Sequence, residues 1–276
     1  MYSDEKSTAI MIETSLLSDK GCCRKGNEDY LKLFSFGNEI STEKEVLAIL
    51  ADGMGGHQGG EVASQLAVEV IARTYFEQQG NDLVKSLVTS FAKANQTIYE
   101  KAASDLSLLG MGTTCTALVL RNKQACFAHV GDSRLYLLRE GILTLFTVDH
   151  TLVNQLITGG LITPEEARNH PDRSIVTKSL GTLPEVAVDT SKGMLSIQLG
   201  DVYLLCSDGL HDLVGNEEIR NAITYNSPQV AGEQLIAMAK QRGGYDNISV
   251  GILAVRESTP SGKRAAITRE TVINPA

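Results

Sequence analysis

Within its 276 residues the chain has no apolar run near the roughly 18 residues that a membrane span needs. Its first ten residues, MYSDEKSTAI, are too polar and too acidic for a secretory signal. These two absences predict a cytoplasmic protein with no membrane partner. Clustered positive charge is lacking as well. The chain has 25 Lys and Arg against 33 Asp and Glu, a formal net charge of -8, and no basic stretch of the kind a phosphate backbone requires, so no nucleic-acid partner is expected. Disulfide and zinc frameworks are also missing. The five cysteines, Cys22, Cys23, Cys115, Cys126 and Cys206, are odd in number and include no CxxC pair. They read as reduced thiols, mostly in the core, with the adjacent Cys22 and Cys23 beside Arg24 open to a second reading as a redox-sensitive site.

What the chain does have is enough apolar content, 42%, for a sizeable core in one large domain or two small ones. Strand content is expected at Ile10–Gly21 and in EVLAILAD, then two helices on the helical spacing of Val62 to Ile71 and of Leu83 to Ile98. Short runs follow in close succession: CTALVL, QACFAHV, RLYLLREG and ILTLFTV. Their spacing predicts hairpins and antiparallel sheet. Residues 150–185 break into short helical pieces that read as a surface insertion. Sheet returns in MLSIQL and DVYLLCSD, then helices near 216–225 and 228–241 and a closing strand NISVGILAV. Strands in blocks and helices in blocks favour a layered α+β architecture. The segment 257–276 lacks periodicity and reads as a disordered tail, in which Thr268 and Thr271 beside Arg269 and Lys263 are candidate phosphorylation sites.

One stretch resists a packing explanation. ILADGMGGHQGG runs an apolar strand into Asp52 and then places five glycines within eight positions. No Lys-Ser or Lys-Thr follows, which argues against a P-loop. A second apolar strand, VYLLCSDG, also ends on Asp-Gly, at Asp208 and Gly209. Strands lying side by side would make the two carboxylates converge, and converging carboxylates repel unless a cation lies between them. Hard divalent cations prefer such oxygen ligands. A glycine after the acid allows a sharp turn and brings its carbonyl within reach of the same ion. One such pair would read as a mere turn, but RKGNED, GDSR and GGYDN add further acids at strand edges or turns.

In order, GCCRKGNED, LADGMGGHQGGEVAS, GMGTT, AHVGDSRLYLLREG, DHTLVNQL, SLGT, LLCSDGL and GGYDNISV resemble the motif series of PP2C (PPM) type metal-dependent protein serine/threonine phosphatases in their bacterial form. The resemblance spans about residues 10–255 and implies a four-layer α-β-β-α sandwich with two central antiparallel sheets. It implies a catalytic domain over residues 1–256, with 150–185 as a flap that influences substrate choice. It further implies a centre of two Mn2+ or Mg2+ ions, with a third possible. By the same resemblance Asp52 bridges two ions, the Gly53 carbonyl completes one sphere, Asp208 and Asp246 bind the first ion, and Asp132 joins Asp208 at the third. Glu28 and Asp29 match positions that hold ion-bound waters or reach the second ion, and Arg24 matches the residue that grips the substrate phosphate.

The activity so implied is hydrolysis of phosphoserine and phosphothreonine in proteins by a hydroxide shared between two ions about 4 Å apart, with no phosphoenzyme. Its partners would be phosphorylated proteins and a cognate eukaryotic-like kinase in a bacterium, with the enzyme a monomer. Met54 stands where many eukaryotic relatives carry a histidine proposed as the general acid, which makes an ion-bound water the first candidate for that role. His57, His129, His150, His170 and His211 read as structural. Two other functions share these residues: a phosphoprotein-binding module without activity, disfavoured because Asp52, Asp208 and Asp246 are all present, and a hydrolase of small phosphomonoesters.

Overall fold

A computed structural model describes residues 10–36, 45–55, 59–78, 80, 82–258 and 271–272. The first half contains β1 (Ile10–Asp19), β2 (Asp29–Phe36), β3 (Glu45–Met54), α1 (Gly59–Glu77), α2 (Leu83–Ser104), β4 (Gly112–Thr113), β5 (Cys115–Arg121), β6 (Gln124–Val130), β7 (Arg134–Arg139) and β8 (Ile142–Leu145). There follow α3 (Leu152–Thr158), α4 (Pro164–Arg168), β9 (Asp189–Thr190), β10 (Leu195–Ser196), β11 (Val202–Cys206), α5 (Asp208–His211), α6 (Asn216–Tyr225), α7 (Pro228–Gln241), β12 (Ile248–Glu257) and β13 (Thr271–Val272). The strands form two sheets, ordered β1-β12-β11-β7-β8 and β10-β6-β5-β3-β2-β13, with β4 paired to β3 and β9 to β6. Every pairing is antiparallel except that of β13 with β2.

Alternation along the strands decides the layering, because successive side chains point to opposite faces. In β3, Leu47, Ile49 and Ala51 pack with α1 and α2, through partners such as Ile71, Leu87 and Phe91. The intervening Val46, Ala48 and Leu50 face the other sheet and meet Leu135, Tyr203, Leu205 and Leu253. β11 divides the same way: Val202, Leu204 and Cys206 join Ile219, Ile223 and Leu235 of α6 and α7, while Tyr203 and Leu205 turn inward. Three apolar clusters therefore fill the three spaces of an α-β-β-α sandwich, the fold class expected. The helices start where local chemistry lets them. Asp82 caps α2 by accepting from the Lys85 N–H at 3.0 Å, and Ser227 with Pro228 opens α7.

Most expected elements are present, with three differences. β2 is an additional strand that pairs along its length with β3, from Asp29 opposite Asp52 to Phe36 opposite Glu45. MLSIQL pairs only at Leu195 and Ser196. The strands that lead to Asp52 and Asp208 do not lie side by side: β3 belongs to one sheet and β11 to the other. The expected tail lies outside the described residues except for Glu257, Ser258 and the backbone of Thr271–Val272. Three cysteines are buried, and Cys22 and Cys23 are exposed. No helix among the described residues is long and apolar enough to cross a membrane.

Leu50 is fully buried between the sheets, whereas Leu199 is 56% exposed. Leu50→Ala is expected to cost about 2–5 kcal/mol in a urea titration with unchanged slope, and Leu199→Ala about 0.5 kcal/mol or less.

Candidate active site

Strand register brings the acids to one end of the sandwich. In the first sheet the end of β11 pairs with the starts of β7 and β12, Cys206 opposite Arg134 and Val250. In the second, the end of β3 pairs with the start of β2, Asp52 opposite Asp29, and the end of β6 with the start of β5, Val130 opposite Cys115. Asp208 and Asp246 thus project from one sheet's edge, and Asp52, Glu28 and Asp132 lie at the matching edge of the other. The two edges meet around a cavity of about 560 Å³ lined by Glu28, Asp52, Asp132, Asp208 and Asp246, together with Arg24, Gly53 and Met54. Asp52 and Asp208 converge across the gap between the sheets, although their strands are not neighbours.

Both Asp-Gly pairs owe their glycine to close approach of another backbone. A Cβ on Gly53 would fall on the Gly60 carbonyl oxygen at the start of α1, and one on Gly209 would fall on the carbonyl oxygen of Asn247. The backbone of Asp52 is held from both sides. Its carbonyl accepts from the Thr114 N–H and from Thr113 Oγ1, each at 2.8 Å, and the next N–H, of Gly53, donates to the Glu28 carbonyl at 3.1 Å. GMGTT is therefore the splint of the Asp52 tip.

The GDSR loop is fixed residue by residue. Gly131 donates its N–H to His150 Nδ1 at 3.0 Å and accepts from the His150 N–H at 2.7 Å. The Asp132 carbonyl lies 3.0 Å from His211 Nε2, and Ser133 Oγ bonds Thr114 Oγ1 at 2.8 Å. Arg134 grips Asp149 with Nε and Nη2 at 2.6–3.1 Å. The Asp132 carboxylate of this loop lines the cavity. On the opposite side, Asn247 Oδ1 accepts from the Glu28 N–H at 2.8 Å, and its Nδ2 donates to the carbonyls of Lys20 and Gly26. This side chain anchors the loop from β1 to β2 beside Asp246. Asn247, Thr114 and Asp149 are positioning residues, and the one signal of that role in the sequence is their place beside the acids.

Burial, joined by mutual repulsion, raises the carboxyl pKa of Asp52 well above the ordinary range, with Asp29, Asp208, Asp132 and Asp246 as the neighbouring charges. Asp208 is raised by burial and by Asp132, and Asp132 by burial and by Asp149. One oxygen of Asp208 is buried with no hydrogen-bond partner among the described residues. Asp246 is engaged by Arg24, Nη2 to Oδ2 at 2.5 Å. Among the described residues no three side chains from Asp, Glu, His and Cys close on one point as a finished ion cage.

Asp29 differs from the other expected residues. It is buried, stands opposite Asp52 on the same face of the β2–β3 pair, accepts from Ser207 Oγ at 2.7 Å and does not line the cavity. Of the histidines, His57 lies outside the described residues and the other four do not line the cavity. His129 is buried against Thr116 Oγ1 at 2.9 Å. The expected flap closes at its base through Thr151 and Val176, and it supplies Ser174 and Val176 to the cavity wall.

The family model for protein phosphatase 2C matches residues 27–241. The chain is 38% identical over 251 residues to the protein phosphatase PhpP of Streptococcus pneumoniae, covering 89% of this chain and 98% of that one. It is similar to the crystal structure of the Mycobacterium tuberculosis serine/threonine phosphatase PstP/Ppp, at 38% identity and a TM-score of 0.79 over 89% of this chain and 99% of that one. It is also similar to a crystal structure of the catalytic domain of PstP in complex with two manganese ions, at 36% identity and a TM-score of 0.78 over 90% and 100% of the two chains.

Removing the carboxylate that holds Arg134 would leave a largely buried guanidinium unpaired, so Asp149→Ala is expected to destabilise the fold by about 3 kcal/mol in chemical denaturation. A change below 1 kcal/mol, within the range of exposed ion pairs, would show that the pair does not anchor the loop.

Proposed function

The chain belongs to the protein phosphatase 2C family, and from that premise we propose that it hydrolyses phosphoserine and phosphothreonine in proteins at the carboxylate-lined cavity. The single observation that carries this reading is the convergence of Asp52, Asp132 and Asp208 with Asp246 and Glu28 at the meeting edges of the two sheets.

The donor set suits hard divalent cations such as Mn2+ or Mg2+: it is all oxygen, strongly anionic, and includes a buried Asp208 oxygen with no partner. Asp52, Asp208 and Asp246 would hold the ions, with the Gly53 carbonyl beside Asp52, Asp132 at a third position, and Glu28 at ion-bound waters. Ions bound there supply Lewis-acid chemistry, lowering the pKa of water and neutralising phosphoryl oxygens. Asp29 we assign to support of this set from beside Asp52, its cross-strand partner on the same face.

The chain's own residues do the positioning. Arg24 extends into the cavity, and the guanidinium donors not used on Asp246 are those that orient the substrate phosphate. Thr113, Thr114 and Asn247 hold the acid-bearing backbone in place, so little reorganisation accompanies reaction. The flap wall at Ser174 and Val176 faces the substrate and narrows the entrance. All of these groups come from one chain, so the site as proposed needs no second subunit. Residues up to 256 form the catalytic domain in this reading. The bacterial source of the named relatives supports opposition to a eukaryotic-like serine/threonine kinase in a bacterial cytoplasm.

Release of phosphate from a phosphothreonine peptide tests the reading. With Mn2+ the protein is expected to turn over, with chelator it is expected to stop, and Asp52→Asn is expected to lose about 10²-fold or more in kcat while keeping native circular dichroism. Equal turnover in chelator, or an active Asp52→Asn, would overturn it.

A further inference from the structure

Among the described residues the cavity is lined by five carboxylates, Glu28, Asp52, Asp132, Asp208 and Asp246, and by two cations, Arg24 and Lys25. The two cations differ in their commitments. Arg24 is bonded to Asp246, whereas Lys25, exposed on the rim, has no ion pair or hydrogen bond among the described residues despite the acids nearby.

The loop that carries it is not free to wander. Asn247 holds the carbonyls of Lys20 and Gly26 and the N–H of Glu28, and the Cys22 N–H donates to the Gly244 carbonyl at 2.8 Å. Cys23, Arg24 and Lys25 are the apex between these anchors, and all three line the cavity. Ser174 and Val176 of the flap line it as well, so a substrate chain entering the cavity passes between this apex and the flap. Along that passage an unpaired ammonium on an anchored backbone keeps a positive charge within reach of the rim, and its rim position suits groups flanking the phosphoresidue.

We propose that Lys25 is a specificity-determining residue that selects phosphoproteins carrying a carboxylate next to the phosphorylated residue. The inference rests on the phosphatase reading and adds the substrate class. A partly solvated ion pair of this kind gives about two- to fivefold in affinity and fades as salt screens it.

Two peptides serve as probes. Each carries a non-hydrolysable difluoromethylene phosphonate in place of the phosphothreonine phosphate, one with flanking glutamates and one with flanking glutamines. Their Kd values are measured by calorimetry in Mn2+. The wild-type protein is expected to bind the glutamate peptide about two- to fivefold more tightly, Lys25→Gln to bind both alike, and Lys25→Glu to invert the order. Arg24→Gln is expected to weaken both peptides and leave their ratio intact. The proposal is overturned if Lys25→Gln keeps the wild-type ratio, if it weakens both peptides equally, as a contact to the phosphate would, or if Arg24→Gln is the variant that erases the ratio. Because binding is read without turnover, a protein that keeps the Lys25-dependent ratio yet releases no phosphate would sink the phosphatase reading and leave this assignment standing.

Discussion

Repulsion among carboxylates gathered in one cavity governs the active end of this protein. Asp52, Asp132 and Asp208 share that cavity with Asp246 and Glu28, and the pKa values of Asp52, Asp132 and Asp208 rise because water is withdrawn while like charges face one another. Like charges so gathered repel, the more strongly where water is withdrawn, and that repulsion costs stability. A fold bears that cost only if other interactions hold the acids in place. Much of the surrounding architecture serves this end: the Thr113 and Thr114 splint, the clasp of His150 on Gly131, the Arg134 grip on Asp149 and the Asn247 anchor.

Those supports in turn depend on the layered core. The three apolar clusters keep two sheets face to face, so that strand ends belonging to different sheets meet at one cavity. Alternation within β3 and β11 makes each strand part of two clusters at once, which couples sheet stacking to helix packing. Function and stability pull against each other only at the strand tips. A strained arrangement of acids is tolerated there because the strands behind it are well packed.

The strand ends, the two Asp-Gly junctions and the motif series were legible in the sequence because each is a local signal. Continuous apolar runs marked β3 and β11, helical spacing marked α1 and α2, and the acids stood beside them. β2 was not read as a strand because Asp29–Phe36 mixes lysine, serine and aromatics, and only its pairing with β3 makes it one. The membership of β3 and β11 in different sheets is a long-range fact that no local pattern encodes. Asp29 shows the same limit: in sequence it is one residue from Glu28, but only the pairing of β2 with β3 sets it beside Asp52 and under Ser207, outside the cavity that Glu28 lines. Asn247 and Asp149 act through hydrogen bonds to loops far away in the chain, so their roles emerged only once those loops were in place.

The claim that buried repulsion is held ready for cations is tested most directly by thermal unfolding of the wild-type protein and Asp208→Asn, each with and without Mn2+. In chelator, removing one of the repelling charges should make Asp208→Asn more stable than wild type. In Mn2+ at about a hundred times its Kd the wild type should gain close to 3 kcal/mol, and the order should invert because the variant has lost a ligand. A wild-type protein that Mn2+ does not stabilise, or a variant that is less stable than wild type in chelator, would contradict the account.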